Sequence, residues 1–157
     1  MTRRFRALIL GLALATLAGA ASARDYIVVG STDPAIARGQ AYDGGAKVSL
    51  APGRTLTLMH ASGDLVRLKG VAGGVLLPRR QTNQAEAERL AVLKMIVSTD
   101  QGAPGAARPM RTRAGVCPTP EAITTLDAVV QVHQGGCATE AAEALDAWIA
   151  KHPPTDL

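Results

Sequence analysis

Residues 55–69 read Thr-Leu-Thr-Leu-Met-His-Ala-Ser-Gly-Asp-Leu-Val-Arg-Leu-Lys, the most regular pattern in the chain. Apolar and polar side chains alternate on both sides of a central Ala-Ser-Gly, which is typical of a β-hairpin with glycine in the left-handed conformation. A three-residue loop over residues 61–63 fixes the register of the two strands. The resulting cross-strand pairs are His60 with Asp64, Leu58 with Val66, and Leu56 with Leu68.

This register gives the two faces of the hairpin different compositions. The paired leucines and valine share one face, which we expect to be buried. The opposite face carries Thr57, Met59, Leu65, Arg67 and Lys69, and we expect it to be partly exposed. We therefore predict an interaction surface formed by Thr57, Met59, Arg67 and Lys69.

Short β-type runs flank the hairpin over residues 24–80. They are Tyr26–Val29, Lys47–Leu50 and Val75–Leu77, separated by glycine-rich turns such as Asp43-Gly44-Gly45 and Gly73-Gly74. Short strands at this spacing indicate a small antiparallel meander or sandwich.

A helical period replaces the β pattern after residue 80. Asn83 followed by Glu86 has the spacing of a capping box, and good helix formers follow it. We predict a helix over residues 81–98 that packs on the apolar side of the sheet.

The last region, residues 116–157, has the pattern of a helical hairpin. Thr119 followed by Pro120 indicates the start of its first helix, and Thr139 is the expected N-cap of the second. The chain is thus predicted to be α+β.

Residues 99–115 are rich in glycine and proline, as is typical of a flexible linker. The linker contains Arg108, Arg111 and Arg113, which we name as a second candidate surface for an acidic partner or anionic lipid. A solvated basic loop is the simpler explanation of these arginines.

Residues 1–23 have the features of a signal peptide. Three arginines precede an apolar run, and Ala21-Ser22-Ala23 provides the small residues that signal peptidase recognises. We expect cleavage between Ala23 and Arg24 and export to the periplasm, with no stable membrane span afterwards. The alternative is an uncleaved anchor, although the apolar run is shorter than the roughly 20 residues that span a bilayer.

The charge of the exported chain argues against nucleic-acid binding. The full sequence has 17 Lys and Arg against 13 Asp and Glu, but three of the arginines belong to the leader, which leaves 14 against 13. A net charge of +1 provides no general means of neutralising phosphates. We expect an envelope protein as the partner and no nucleic acid.

Cys117 and Cys137 are the two cysteines of the sequence. In an oxidising compartment, an even pair predicts a disulfide. If one helix of about 12 residues separates them, its length of roughly 18 Å prevents a direct bond between its ends. The flanking segments must therefore fold back, and an intermolecular bond stays open as an alternative.

The sequence contains no motif specific to a catalytic, metal or cofactor site. His60, Ser62 and Asp64 are the one local group with the residue types of acyl transfer, but residues this close on a tight turn favour a structural contact. His133 is expected at the edge of the core, and we expect no cofactor.

Glycines and alternating aliphatic residues between Gly39 and Leu77 resemble the periplasmic FecR-like domain. The resemblance rests on residues 44–53, Leu56-Thr57-Leu58, Ser62-Gly63-Asp64 and Leu68-Lys69-Gly70. It implies a β-rich envelope module that binds a partner protein, in a family whose members pass signals from an outer-membrane receptor to a cytoplasmic sigma factor. Because residues 1–23 resemble a cleavable leader, we do not expect direct sigma-factor control.

These observations favour a non-enzymatic accessory or binding protein of the periplasm. Two alternatives remain open at this level: an envelope hydrolase or hydrolase inhibitor that uses His60, Asp64 and His133, and a structural or stress protein of the envelope.

Processing of the leader can be tested directly. We predict that protein recovered from the periplasm begins at or within a residue or two of Arg24, because signal peptidase cleaves after Ala21-Ser22-Ala23. N-terminal sequencing measures this. Recovery of intact Met1 in a membrane fraction would instead support the anchor.

Overall fold

The predicted hairpin lies at the centre of a five-stranded sheet in the computed structural model, which describes residues 24–99 and 116–157. The sheet has the order β2-β1-β4-β5-β7, and β3 pairs with β6 in a separate two-stranded sheet. The strands are β1 (Tyr26–Ser31), β2 (Ala41–Tyr42), β3 (Lys47–Val48), β4 (Thr55–His60), β5 (Leu65–Lys69), β6 (Val75–Leu76) and β7 (Thr155–Asp156).

The register of the hairpin is confirmed. Leu56 pairs with Leu68 and Leu58 with Val66, and the His60 amide donates to the Asp64 carbonyl at 2.9 Å. Gly63 has a φ of 102°, which favours glycine. A Cβ there would also lie 2.7 Å from Leu126 Cδ1, so the turn needs glycine for close packing as well.

Three α-helices accompany the sheets among the described residues, which confirms the α+β class. They are α1 (Gln84–Thr99), α2 (Leu126–Gln134) and α3 (Ala138–Lys151), and a 3-10 turn spans Pro120–Ala122. None of these helices is long and apolar enough to cross a membrane.

The capping box of α1 is confirmed in both directions. The Glu86 amide donates to Asn83 Oδ1 at 2.9 Å, and the Asn83 amide donates to Glu86 Oε2 at 3.0 Å. Two amides that the helix cannot satisfy internally thereby gain partners. The helix then buries Leu90, Leu93, Ile96 and Val97.

One face of the five-stranded sheet is buried and the other is covered at one end only, so the expectation of a partly solvated second face was wrong at Met59 and Leu65. The face with Leu56, Leu58, Val66 and Leu68 packs on Val28, Ile36, Val48, Leu50 and Leu77. The three helices cover the other face, where Met59 is 0% exposed and Leu65 5%. Helix α1 therefore packs on the face expected to be solvated.

The helical hairpin is confirmed, but both of its helix starts differ from the prediction. Pro120 opens only a 3-10 turn, because the backbone is extended again at Ile123. The N-cap of α2 is Thr125, whose Oγ1 accepts from the Ala128 amide at 3.2 Å. The N-cap position of α3 is Cys137 rather than Thr139.

The shorter α2 explains how the disulfide closes within one chain. Cys117 and Cys137 are bonded, with their Cα atoms 5.7 Å apart. A helix of nine residues rises only about 13.5 Å, and the segment before it, whose 3-10 turn contacts α3, brings Cys117 back to Cys137 after the turn at Gly135 and Gly136. The predicted disulfide is confirmed, and it closes within one chain rather than between two.

Ion pairs supplement the apolar contacts that the helical hairpin makes with the rest of the fold. Arg38, in the loop between β1 and β2, pairs with Asp146 of α3. Arg89 Nε of α1 lies 2.7 Å from Asp127 Oδ1 of α2. These contacts, with the shared apolar cluster, fix the helical hairpin against the sheet.

Leu58→Ala should destabilise the protein by about 2–5 kcal/mol, because it leaves a cavity in the fully buried core. Thr57→Ala, at a half-buried neighbouring position, should cost far less. Chemical denaturation of both variants measures the difference. Equal losses would contradict the assignment of the strand faces.

Removal of the disulfide by Cys117→Ser with Cys137→Ser should lower the free energy of unfolding by about 2–4 kcal/mol, because the bond restricts the unfolded chain. Urea unfolding of oxidised wild type and the double variant measures this. Thiol titration of denatured, unreduced wild type should find no free thiol; two free thiols would contradict the bond.

Candidate functional site

Six polar residues meet beneath the turn between β4 and β5, and we call them the His60 cluster. They come from the start of β1, the hairpin and the segment before α1. The members are Asp25, His60, Ser62, Asp64, Arg80 and Thr82.

His60 is the buried centre of this cluster. It is the last residue of β4 and is only 2% exposed. Pairing of β1 with β4 places Tyr26 opposite it, with the two rings edge to face at 4.9 Å. The Tyr26 hydroxyl donates to the Pro78 carbonyl at 3.1 Å, which holds the segment before α1 near the imidazole.

One ring nitrogen of His60 faces its own turn. The Ser62 amide donates to Nδ1 at 3.1 Å, and Ser62 Oγ lies 2.9 Å from the same atom. Because an amide can only donate, Nδ1 acts as an acceptor in this bond. The arrangement fits a neutral imidazole that carries its proton on Nε2.

The other nitrogen faces the segment before α1. Nε2 lies 3.4 Å from Thr82 Oγ1, which donates to Asp25 Oδ1 at 2.7 Å. Asp25 Oδ2 accepts from the Gly44 amide at 2.7 Å. Asp25 thus joins the start of β1, the turn before β3 and the segment before α1.

Ser62 and Asp64 complete the exposed side of the cluster. Ser62 Oγ donates to Asp64 Oδ2 at 3.0 Å. Arg80 Nη1 donates to the same carboxylate oxygen at 2.6 Å. The pair carries little stability at such exposure, but it positions Arg80 beside the turn.

Burial lowers the pKa of His60 because it disfavours the charged imidazolium, and the Arg80 guanidinium lowers it further. The carboxylates of Asp25, Glu86 and Asp64 oppose this effect. The net shift is downward, which agrees with the acceptor role of Nδ1.

The geometry differs from that of a nucleophile, base and orienting acid. Asp64 contacts Ser62 rather than the imidazole, so it does not orient the histidine. The imidazole itself is almost inaccessible to a substrate. The arrangement favours the structural interpretation of this group over acyl transfer.

A separate carboxylate, Asp33, holds two loops together. Its Oδ1 accepts from the Ala35 amide at 3.0 Å and its Oδ2 from the Ala51 amide at 3.1 Å. These bonds to the charged form lower the pKa of Asp33. Each bond lies between a side chain and backbone amides, which is typical of loop stabilisation.

The other two histidines lie apart from the His60 cluster. His133 is half-buried near the end of α2, as expected for the edge of the core. His152 is exposed and stacks on Trp148 with a ring separation of 3.8 Å.

Within residues 24–99 and 116–157, the one group with metal-ligand spacing is Cys117, Cys137 and Glu140. Its sulfurs are joined in the disulfide, so they are not available as thiolate ligands.

The predicted interaction surface is only partly accessible. Thr57 is half-buried, Arg67 is partly exposed and Lys69 is exposed. Met59 is fully buried under the helices, so its inclusion in the surface was wrong. Arg108, Arg111 and Arg113 lie outside the described residues.

Sequence reasoning found His60, Ser62 and Asp64 because they are neighbours on one turn. It missed Asp25, Arg80 and Thr82, which lie 16 to 57 positions from their partners in the cluster. The pairing of β1 with β4 brings Asp25 to the hairpin, and the bond from Tyr26 to Pro78 holds the segment of Arg80 and Thr82 nearby. No local motif signals these contacts.

The chain matches no protein-family model, no curated protein and no solved structure.

The lowered pKa of His60 predicts a loss of stability on acidification. The unfolded chain, with a histidine pKa near 6.5, binds a proton more readily than the folded one. The contribution of His60 to the free energy of unfolding is therefore fully present above pH 6.5. It is lost as the pH falls through the lower pKa of His60 in the folded protein. Urea unfolding between about pH 7.5 and about pH 5 measures it.

His60→Gln should flatten this pH dependence, whereas His152→Gln should retain it because His152 is exposed. Asp33 affects the free energy of unfolding only at a more acidic pH, since its ordinary pKa is 3.8 and its pKa in the folded protein is lower. If His60→Gln kept the wild-type pH dependence, another group would be responsible.

Proposed function

We propose that this chain is a non-enzymatic accessory or binding protein of the periplasm, which contacts an envelope protein through the uncovered end of its five-stranded sheet. The helices bury that face at Met59 and Leu65 but leave the next cross-strand pair, Thr57 and Arg67, partly exposed. This uncovered end is the observation that carries the proposal. We call it the basic strand surface and define it as Thr57, Arg67 and Lys69.

The basic strand surface is rigid because it lies on paired strands. Thr57 is opposite Arg67, and Thr55 is opposite Lys69. Arg67 and Lys69 are two positions apart on one strand, so their side chains leave the same face about 7 Å apart. Two cations at a fixed spacing favour a partner with acidic side chains, since charge complementarity accelerates and orients association.

Several features of the sequence support the compartment. Residues 1–23 have the pattern of a leader, and the disulfide is the form that cysteines take in an oxidising environment. The resemblance of residues 39–77 to the FecR-like domain supports an envelope role, including participation in envelope signalling through protein binding.

The state of the His60 cluster supports binding over hydrolysis. Its imidazole is buried, and both ring nitrogens have polar neighbours within the fold. A general base needs access to the proton that it removes from the substrate or nucleophile. We therefore assign the cluster to fold stabilisation and the basic strand surface to binding.

Site-specific photo-crosslinking in living cells tests this function. A photoreactive residue at Thr57 should capture an envelope protein, and Arg67→Glu with Lys69→Glu should reduce the yield about tenfold or more, because an acidic partner is then repelled. Lys94 on α1 is also exposed and serves as the control position. A photoreactive residue at Lys94 controls for the photolabel at Thr57, and Lys94→Glu controls for the charge reversal. Equal capture from Lys94 and Thr57, or capture unaffected by the double reversal, would contradict the proposed surface.

A further inference from the structure

Residues 153–157 return from α3 to the outer edge of the five-stranded sheet. There β7 lies parallel to β5, with Thr155 opposite Val66 and Asp156 opposite Arg67. The Leu157 amide donates to the Arg67 carbonyl at 3.0 Å. The chain thus adds its own extended segment to the strand that carries both cations of the basic strand surface.

The outer edge of β5 has more pairing positions than this segment covers. Asp64 and Gly70 direct backbone groups toward the β4 side, since the Asp64 carbonyl accepts from His60 and the Gly70 amide donates to the Arg54 carbonyl. Backbone groups alternate along an antiparallel strand. The backbone N–H and C=O groups of Leu65, Arg67 and Lys69 therefore point away from β4. Strand β7 pairs at the middle of this edge.

The contacts that hold residues 155–157 are few and exposed. All three residues are solvent-exposed, and β7 is only two residues long. Arg67 Nη1 lies 3.8 Å from Asp156 Oδ1, with both side chains largely in water. An ion pair at this distance and exposure contributes little. Pro153 and Pro154 lack amide protons, and each favours an extended conformation in the residue before it, as His152 shows.

We propose that the outer edge of β5 is a strand-addition site for an extended acidic segment of the envelope partner, and that residues 155–157 occupy it until that segment displaces them. Main-chain pairing provides affinity at such an edge, and alternate side chains provide specificity. Because Asp156 lies opposite Arg67, we expect an acidic residue of the partner segment at the same position. A second acidic residue two positions later lies opposite Lys69. The inference rests on the proposed binding function and specifies its partner.

A peptide titration of the full chain tests the site. The probe is Pro-Pro-Thr-Asp-Leu-Glu with blocked ends, which repeats residues 153–157 and adds a carboxylate for Lys69. Amide chemical shifts of labelled protein report where it binds. Leu157→Pro removes the amide that donates to the Arg67 carbonyl and so weakens the pairing of β7 with β5. The circular dichroism spectrum of this variant should match that of wild type, because Leu157 is 59% exposed.

Leu157→Pro should bind the probe about fivefold or more tightly than wild type, because the internal segment no longer competes for the edge. The shifts should centre on Leu65, Arg67 and Lys69. The peptide Pro-Pro-Thr-Lys-Leu-Lys is the charge control and should bind poorly. It should gain affinity for the variant that carries Arg67→Glu and Lys69→Glu together with Leu157→Pro.

Three results would overturn the site: equal affinity of wild type and Leu157→Pro, equal affinity for the two peptides, or shifts away from β5. A concentration-dependent dimer of Leu157→Pro would also overturn it, in favour of strand exchange between two copies. If the probe fails to bind while Thr57 still captures an envelope protein, strand addition is wrong and the proposed function stands. If neither experiment detects binding, both are wrong.

Discussion

The pairing of β4 with β5 is the constraint on which the other layers depend. Side chains along a strand alternate between faces, so one register decides the position of every residue in the hairpin. The observed register places Leu56, Leu58, Val66 and Leu68 together against the β3 and β6 side. It sends Met59 and Leu65 to the helices. A shift of one residue would exchange the two sets and leave Arg67 within the apolar layer.

Incomplete coverage of the sheet connects this architecture to the proposed function. The helices bury the end of the face near the hairpin turn, where Met59 and Leu65 lie. The opposite end carries Thr57, Arg67 and Lys69, whose polar groups favour contact with water or a partner. A rigid sheet can therefore present the cations of Arg67 and Lys69 at a fixed spacing. Beside them, the outer edge of β5 is paired only with the short strand β7 of the same chain.

The His60 cluster gives the other end of the sheet a different role. It joins the start of β1, the hairpin turn and the segment before α1 through bonds of 2.6 to 3.4 Å. Buried polar groups must find partners within the fold, and the partners of His60 come from its own turn and from the segment before α1. The histidine, serine and aspartate of one turn thus make contacts that connect neighbouring segments of the chain.

The sequence by itself determined the features that depend on near neighbours. The hairpin register follows from alternation around Gly63, the α1 capping box from Asn83 and Glu86, and the α+β class from the change of period after residue 80. Tertiary structure decided which faces are buried, because Met59 is covered only when α1, α2 and α3 pack against it. It also decided the start of α2, since Ile123 packs into the core with an extended backbone and Thr125 becomes the cap. The partners of His60 and the return of residues 155–157 to β5 likewise depend on contacts between distant segments, and such contacts leave no local pattern in the sequence.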